Sequence, residues 1–211
     1  MCYNKESSIT TYIVSSIVSL FLFFNGDKYD KTIAIFCLTF VQMQLVEYLM
    51  WIDQDCGKIN HYATILGHIL LILQPISIII CGLVYNTFSL PKLYLHILLI
   101  ISLIPLILVI NMNMNIKNNK QLCSKEKGSG HLEWDFVNGN TEKWSIYYVI
   151  PYFTIMLFAW LFFKNQKKGI LMFIIMTIPL LYNGFNFKQW ESMWCLVANI
   201  IPLAFLLLQS F

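Results

Sequence analysis

Glu47 is the one carboxylate set well inside an apolar stretch of this chain, about four residues before that stretch ends at Trp51. A helical rise of about 1.5 Å per residue puts it roughly 6 Å below the end. A carboxyl group at that depth is costly and is normally turned toward a protein interior or a water-filled cavity, where it can act as a general base or a metal ligand. Gln44 lies three residues earlier, on the same side of a helix. In the next apolar stretch His61 and His68 are seven apart, which stacks them two turns apart on nearly one face, with Gln74 and Pro75 deeper. Pro75 is expected to kink its helix and free a backbone carbonyl. Asn183, Glu191 and Trp194 fall near the same level at the junction of the last two apolar stretches. Glu47, Gln44, His68, Gln74, Asn183, Glu191 and Trp194 are therefore the candidate lining of one polar pocket.

The elements that must hold these groups are membrane-length helices. Of 211 residues, 58% are hydrophobic and 12% charged, a balance that belongs to a chain with lipid as its solvent. With about 17 to 25 residues per crossing, the apolar stretches at 8–24, 32–51, 61–86, 91–113, 144–164, 168–185 and 189–210 predict seven spans. The expected fold is thus an all-α, seven-transmembrane-helix bundle forming a single domain over residues 1–211. Lys5 is offset by Glu6 and no small-residue cleavage site follows Phe24, so the first span is expected to be a retained helix, not a signal peptide.

Seven crossings put the termini on opposite faces. The face without the N-terminus holds Lys28, Lys31, Lys92, Lys164, Lys167 and Lys168, against Lys5, Lys58 and Lys188 in the short segments of the other. The preference of cationic loops for the cytoplasm then puts the N-terminus outside and the C-terminus inside. All 14 basic residues are Lys, which removes the planar fork that Arg offers to phosphates and carboxylates. A net charge of +3 spread over short loops is no footprint for nucleic acid. The bilayer and a small-molecule ligand are the partners this pattern allows.

One long loop, 115–143, is expected to act as a lid over the polar face. It carries His131, Glu133, Trp134 and Asp135. The Leu132–Phe136 alternation predicts a short strand, and Asn138–Gly139 is a hairpin-turn signal. Cys56 and Cys123 fall on the same face, and a disulfide between them would pin the lid. Cys2 and Cys195 lie near that face too, whereas Cys37 and Cys81 lie within spans and read as small apolar residues.

Interface anchoring and interhelical hydrogen bonding account for most polar and aromatic residues at such depths, and for His68 a packing role outranks a metal one. His61 and His68 are the metal candidates, without any compact ligand motif around them, and no cofactor is expected. A retinal protein of the usual kind is not expected either: the seventh stretch, 189–210, has no lysine for a Schiff base. Three functions stay open. The first is binding or sensing a small ligand in the polar pocket. The second is a membrane-embedded acid/base or metal-dependent enzyme using Glu47 with His61, His68 or His131. The third is a structural component of a viral or cellular envelope.

The order of certain pieces resembles a seven-helix integral membrane protein family of bacteria and large DNA viruses. The pieces are Met1-Cys2, Val46-Glu47 running on to Asp53-Gln54-Asp55-Cys56, then His68 and Gln74-Pro75. Further along come Cys123-Ser124, His131-Leu-Glu133-Trp134 and Trp190 through Trp194-Cys195. That family's pattern has its acidic residue after the tryptophan, where this chain has Asp135, so Glu133 inherits no role. The resemblance implies the seven-helix topology and the clustered face, and it brings no activity.

Overall fold

In the computed structural model the described residues are 4–114, 122–126, 128, 132–134, 152–182 and 200–207. Helices dominate. Helix α1 spans Lys5–Asn25, α2 Lys28–Ile52, α3 Lys58–Tyr85 and α4 Lys92–Met114. Helix α5 covers 152–158 and tightens into a 3-10 turn, Ala159–Phe162. Helix α6 is Gln166–Tyr182 and α7 covers 200–207. These elements fall inside or within a turn of the seven expected stretches. Among the described residues α1, α2 and α3 are long and apolar enough to cross a membrane.

Local chemistry fixes where the helices start. Asn4 caps α1 by accepting the Ser7 N–H at 2.7 Å, and Asp27 caps α2 reciprocally with Asp30. Helix α3 begins at Gly57 without a cap of its own. Instead Asp53, just past the end of α2, accepts the N–H groups of Gly57 at 2.8 Å and Asn60 at 3.0 Å. One carboxylate thus closes one helix and opens the next. Asn86, in left-handed conformation (φ 52°), ends α3. Helix α3 runs unbroken through Pro75, and the Ser77 hydroxyl donates to the Gln74 carbonyl at 2.7 Å.

Short connections make α1, α2, α3 and α4 successive antiparallel neighbours. The connections α1–α2, α3–α4 and α5–α6 meet at one end of the bundle. There Lys168 pairs with Asp30 at 2.6 Å and Asp27 at 3.2 Å, and Lys164 donates to Asn86 at 2.8 Å. Phe88 and Phe163 bridge in antiparallel fashion, and with Phe36 and Trp160 they form an edge-to-face aromatic cluster beneath this end. That bridge stops α5 short of the expected limit at 164, because Phe163 turns to extended backbone to reach Phe88. The opposite end carries the α2–α3 connection and the described parts of the 115–143 loop.

Two-residue strands β1 (Lys125–Glu126) and β2 (Leu132–Glu133) pair antiparallel, Lys125 opposite Glu133 and Glu126 opposite Leu132. The expected strand is there, but its partner precedes it, whereas the Asn138–Gly139 signal implied one that follows. Between the two strands Gly128 takes a φ of 86°. The Asn138–Gly139 signal lies outside the described residues.

Candidate functional site

The lid is sewn to α3 by a ladder of neutral side chains. Asn60 is wholly buried, and its amide does what a neighbouring strand would do: Oδ1 accepts the Ser124 N–H at 2.9 Å and Nδ2 donates to the Ser124 carbonyl at 2.7 Å. The same Nδ2 also donates to the Asp53 carbonyl at 2.9 Å, so one side chain ties the lid to the α2–α3 connection. One turn deeper the Thr64 and Ser124 hydroxyls share a hydrogen bond of 2.9 Å. Outside this pair of contacts, Gln54 accepts the Glu126 N–H at 3.0 Å and His61 Nδ1 accepts the Leu122 N–H at 3.0 Å. An accepting Nδ1 carries no proton, and the bond occupies that nitrogen. His61 is thereby a lid anchor.

The expected disulfide closes between Cys56 and Cys123, with Cα atoms 5.1 Å apart across 67 residues of sequence. Cys56 takes a positive φ of 63°, uncommon for a residue with a Cβ. Cys37 and Cys81 are buried free thiols, as expected of small apolar residues. Asp53 has its carboxyl held below the usual carboxylate range by the Asn60 and Gly57 backbone N–H groups.

Beneath the ladder Trp134 enters the bundle. Its ring lies against Gly67, so closely that a Cβ there would run into it. The ring centroid is 6.3 Å from that of His68, and the indole lies close to the Glu47 carboxyl. Glu47 and Gln44 are 1% exposed, His68 5% and Trp134 7%. Deeper along α3, Gln74 is fully buried, and its Oε1 accepts the Tyr152 hydroxyl of α5 at 2.5 Å. Its Nε2 has no hydrogen-bond partner among the described residues.

Glu47, Gln44, His68 and Gln74 are therefore all internal, as α2 and α3 were expected to present them. The expected opening toward the N-terminal face is covered where the lid is described, because Trp134 fills the space above Glu47 and His68. Glu133 sits on β2 and is half-buried. His131, Asp135, Asn183, Glu191 and Trp194 lie outside the described residues, as do Cys2 and Cys195. Among the described residues no three His, Cys, Asp or Glu side chains gather to hold a metal ion.

Asn60, Thr64, Gln54, Asp53 and Ser124 carry the lid, and reading the sequence for charge and metal spacing missed them. One signal was available. Asn60, Thr64 and His68 recur at intervals of four along a mainly apolar helix, with Gly67 beside His68, a polar stripe with a notch.

The chain is similar to the uncharacterized protein R287 of Acanthamoeba polyphaga mimivirus, at 21% identity over 236 aligned residues that cover 97% of this chain and 95% of that protein. No family model matches the chain. No solved structure matches it.

Proposed function

We propose that the protein is an integral membrane protein of seven crossing helices whose polar cluster around Glu47 is a lidded site for a small cationic or amine ligand. The bilayer part rests on α1. Its buried residues are Ser8, Ser15, Ser19 and Leu22, while Ile13, Ile17, Phe21 and Phe24 are exposed. A water-soluble helix has the reverse arrangement, whereas small hydroxyl residues between helices and large apolar ones facing outward suit lipid. The same outward apolar stripe recurs on α4 at Ile97, Ile100, Ile104 and Ile107 and on α6 at Ile170, Ile174 and Ile178.

The observation that carries the site is the position of Trp134. Its ring fills the Gly67 notch and lies beside His68, next to a Glu47 carboxyl that is 1% exposed, and it is held there by a lid fastened separately by a disulfide and by Asn60. A lid side chain packed against a buried carboxyl marks the place a ligand would take when the lid lifts. The packing of Trp134 in the Gly67 notch and beside His68 favours a second reading, an envelope component in which the same cluster only packs.

Methylammonium tests the two. In the Trp134→Ala protein, purified in detergent, methylammonium is expected to raise the Tm, and the additional substitution Glu47→Gln is expected to abolish that rise. Equal Tm with and without methylammonium in Trp134→Ala, beside a wild-type Tm for Glu47→Gln alone, would leave the packing role.

A further inference from the structure

At the end of the bundle opposite the lid, α3, α4 and α5 enclose a partly open cavity of about 190 Å³. Ile78 and Ile79 of α3, Leu95 and Leu98 of α4, and Ile155 and Phe158 of α5 contribute to its walls, and Thr154 is its one polar lining residue among the described residues. The roof is the place where the α3–α4 connection meets the end of α5, through Phe88, Leu90 and Phe162. A lining this apolar suits an apolar guest, as apolar cavities of about 150 Å³ do.

Above this roof the charge is positive. Lys92 opens α4 one turn before Leu95, and Lys164 follows Phe162 by two residues; both are exposed. The carboxylates of this end, Asp27 and Asp30, pair with Lys168, and neither Lys92 nor Lys164 makes an ion pair among the described residues. Lys164 gives one of its three donors to Asn86, which steadies it on the roof. An apolar slot surmounted by two cations on a membrane-facing surface matches one ligand chemistry, an acyl chain that ends in an anionic headgroup.

We propose that this cavity binds one acyl chain of an anionic phospholipid, with the phosphate met by Lys92 and Lys164. This rests on the membrane reading above, though not on the lidded site. Trp160 is a built-in reporter. It is 1% exposed, follows the lining residue Ala159 directly, and has its ring 6.4 Å from that of Phe88. A brominated chain lying in the cavity will quench it more strongly than bulk lipid does, because its ring is buried.

The test compares the wild-type protein with Trp160→Phe in vesicles of brominated phosphatidylcholine, with and without brominated phosphatidylglycerol. The fluorescence lost in the first protein and not in the second belongs to Trp160. That share is expected to be at least threefold greater with phosphatidylglycerol present. It should fall to the phosphatidylcholine level in Lys92→Gln/Lys164→Gln, whose substitutions are on the surface, and in Ala159→Leu, which fills the space. Equal quenching of Trp160 by both lipids overturns the headgroup assignment. No quenching of Trp160 while the other tryptophans are quenched overturns the cavity assignment and leaves the membrane reading standing. If no tryptophan is quenched, the chain is not in the bilayer, and both fall.

Discussion

Asn60 shows how much one neutral side chain can organise. It is fully buried, bonds both backbone groups of Ser124, and holds the α2–α3 connection through the Asp53 carbonyl. Removing it leaves buried donors and acceptors unmatched, each costing about 1 to 3 kcal/mol. Asn60→Ala is expected to destabilise the protein by about 2 to 4 kcal/mol and to expose Trp134 to an aqueous fluorescence quencher; Asn60→Asp should be nearly as damaging, since it keeps the acceptor and loses the donor. Gly67 supports the same residue from below. Gly67→Ala places a methyl group where the Trp134 ring lies, so the lid must shift even though alanine favours the helix by about 1 kcal/mol. The expected readout is greater quenching of Trp134 with helical content unchanged; an unaltered Trp134 signal would mean that the ring does not occupy the Gly67 notch.

At the scale of elements, the helices and the disulfide were legible in the sequence because each has a short-range signature: a long apolar run, or two cysteines placed on one face. The strand pairing was not, because Ser124, fastened to Asn60 across 64 residues, brings Lys125–Glu126 alongside Leu132–Glu133, and no local pattern announces that link. The charged groups of the polar cluster could be found by depth alone, whereas the neutral ladder that covers them could not, since amides and hydroxyls have no spacing rule over such separations. The disulfide gives this covering its permanence. A disulfide typically contributes about 2 to 4 kcal/mol, so Cys123→Ser is expected to lower the Tm in detergent and to show no further change on reduction, whereas reduction lowers the wild-type Tm.

The element junctions also predict the response to acid. For Asp27, partial burial opposes ionisation, but the Asp30 backbone N–H and the hydrogen bond and charge of Lys168 outweigh it and hold its carboxyl below the ordinary carboxylate range. Asp53 is lowered by the Asn60 and Gly57 N–H groups. A carboxyl with a lower pKa in the folded state stabilises the fold above its unfolded value, about 3.9, and that contribution is lost as the pH falls through the folded value. The contribution of these two carboxylates to the Tm should therefore be constant from about pH 7 to 5 and decline below about pH 4. Asp27→Asn and Asp53→Asn should each lower the Tm at pH 7 and make the acid decline shallower; a decline equally steep in both variants would assign acid sensitivity to other groups.

For the whole molecule the question is which solvent the outer surface meets, and α1 answers it with a reversed sign of response. Ile17 is 62% exposed in the middle of α1, on the face opposite Ser15 and Ser19, which are buried against the bundle. In a water-soluble bundle, Ile17→Asp would replace an exposed apolar side chain by a charge at negligible cost and with a gain in solubility. In a bilayer the same carboxylate sits near the middle of a crossing helix and costs about 2.5 to 3.5 kcal/mol of insertion free energy. The outward residues Ile100 and Ile174 give the same contrast on α4 and α6. Expressed in cells and extracted at alkaline pH, the wild-type chain is expected to remain in the membrane pellet, while Ile17→Asp loses a large part of its pellet fraction and Ser15→Ala does not. A pellet fraction unchanged by Ile17→Asp, together with better solubility, would identify water as the solvent of that face and would remove α1 from the crossing helices.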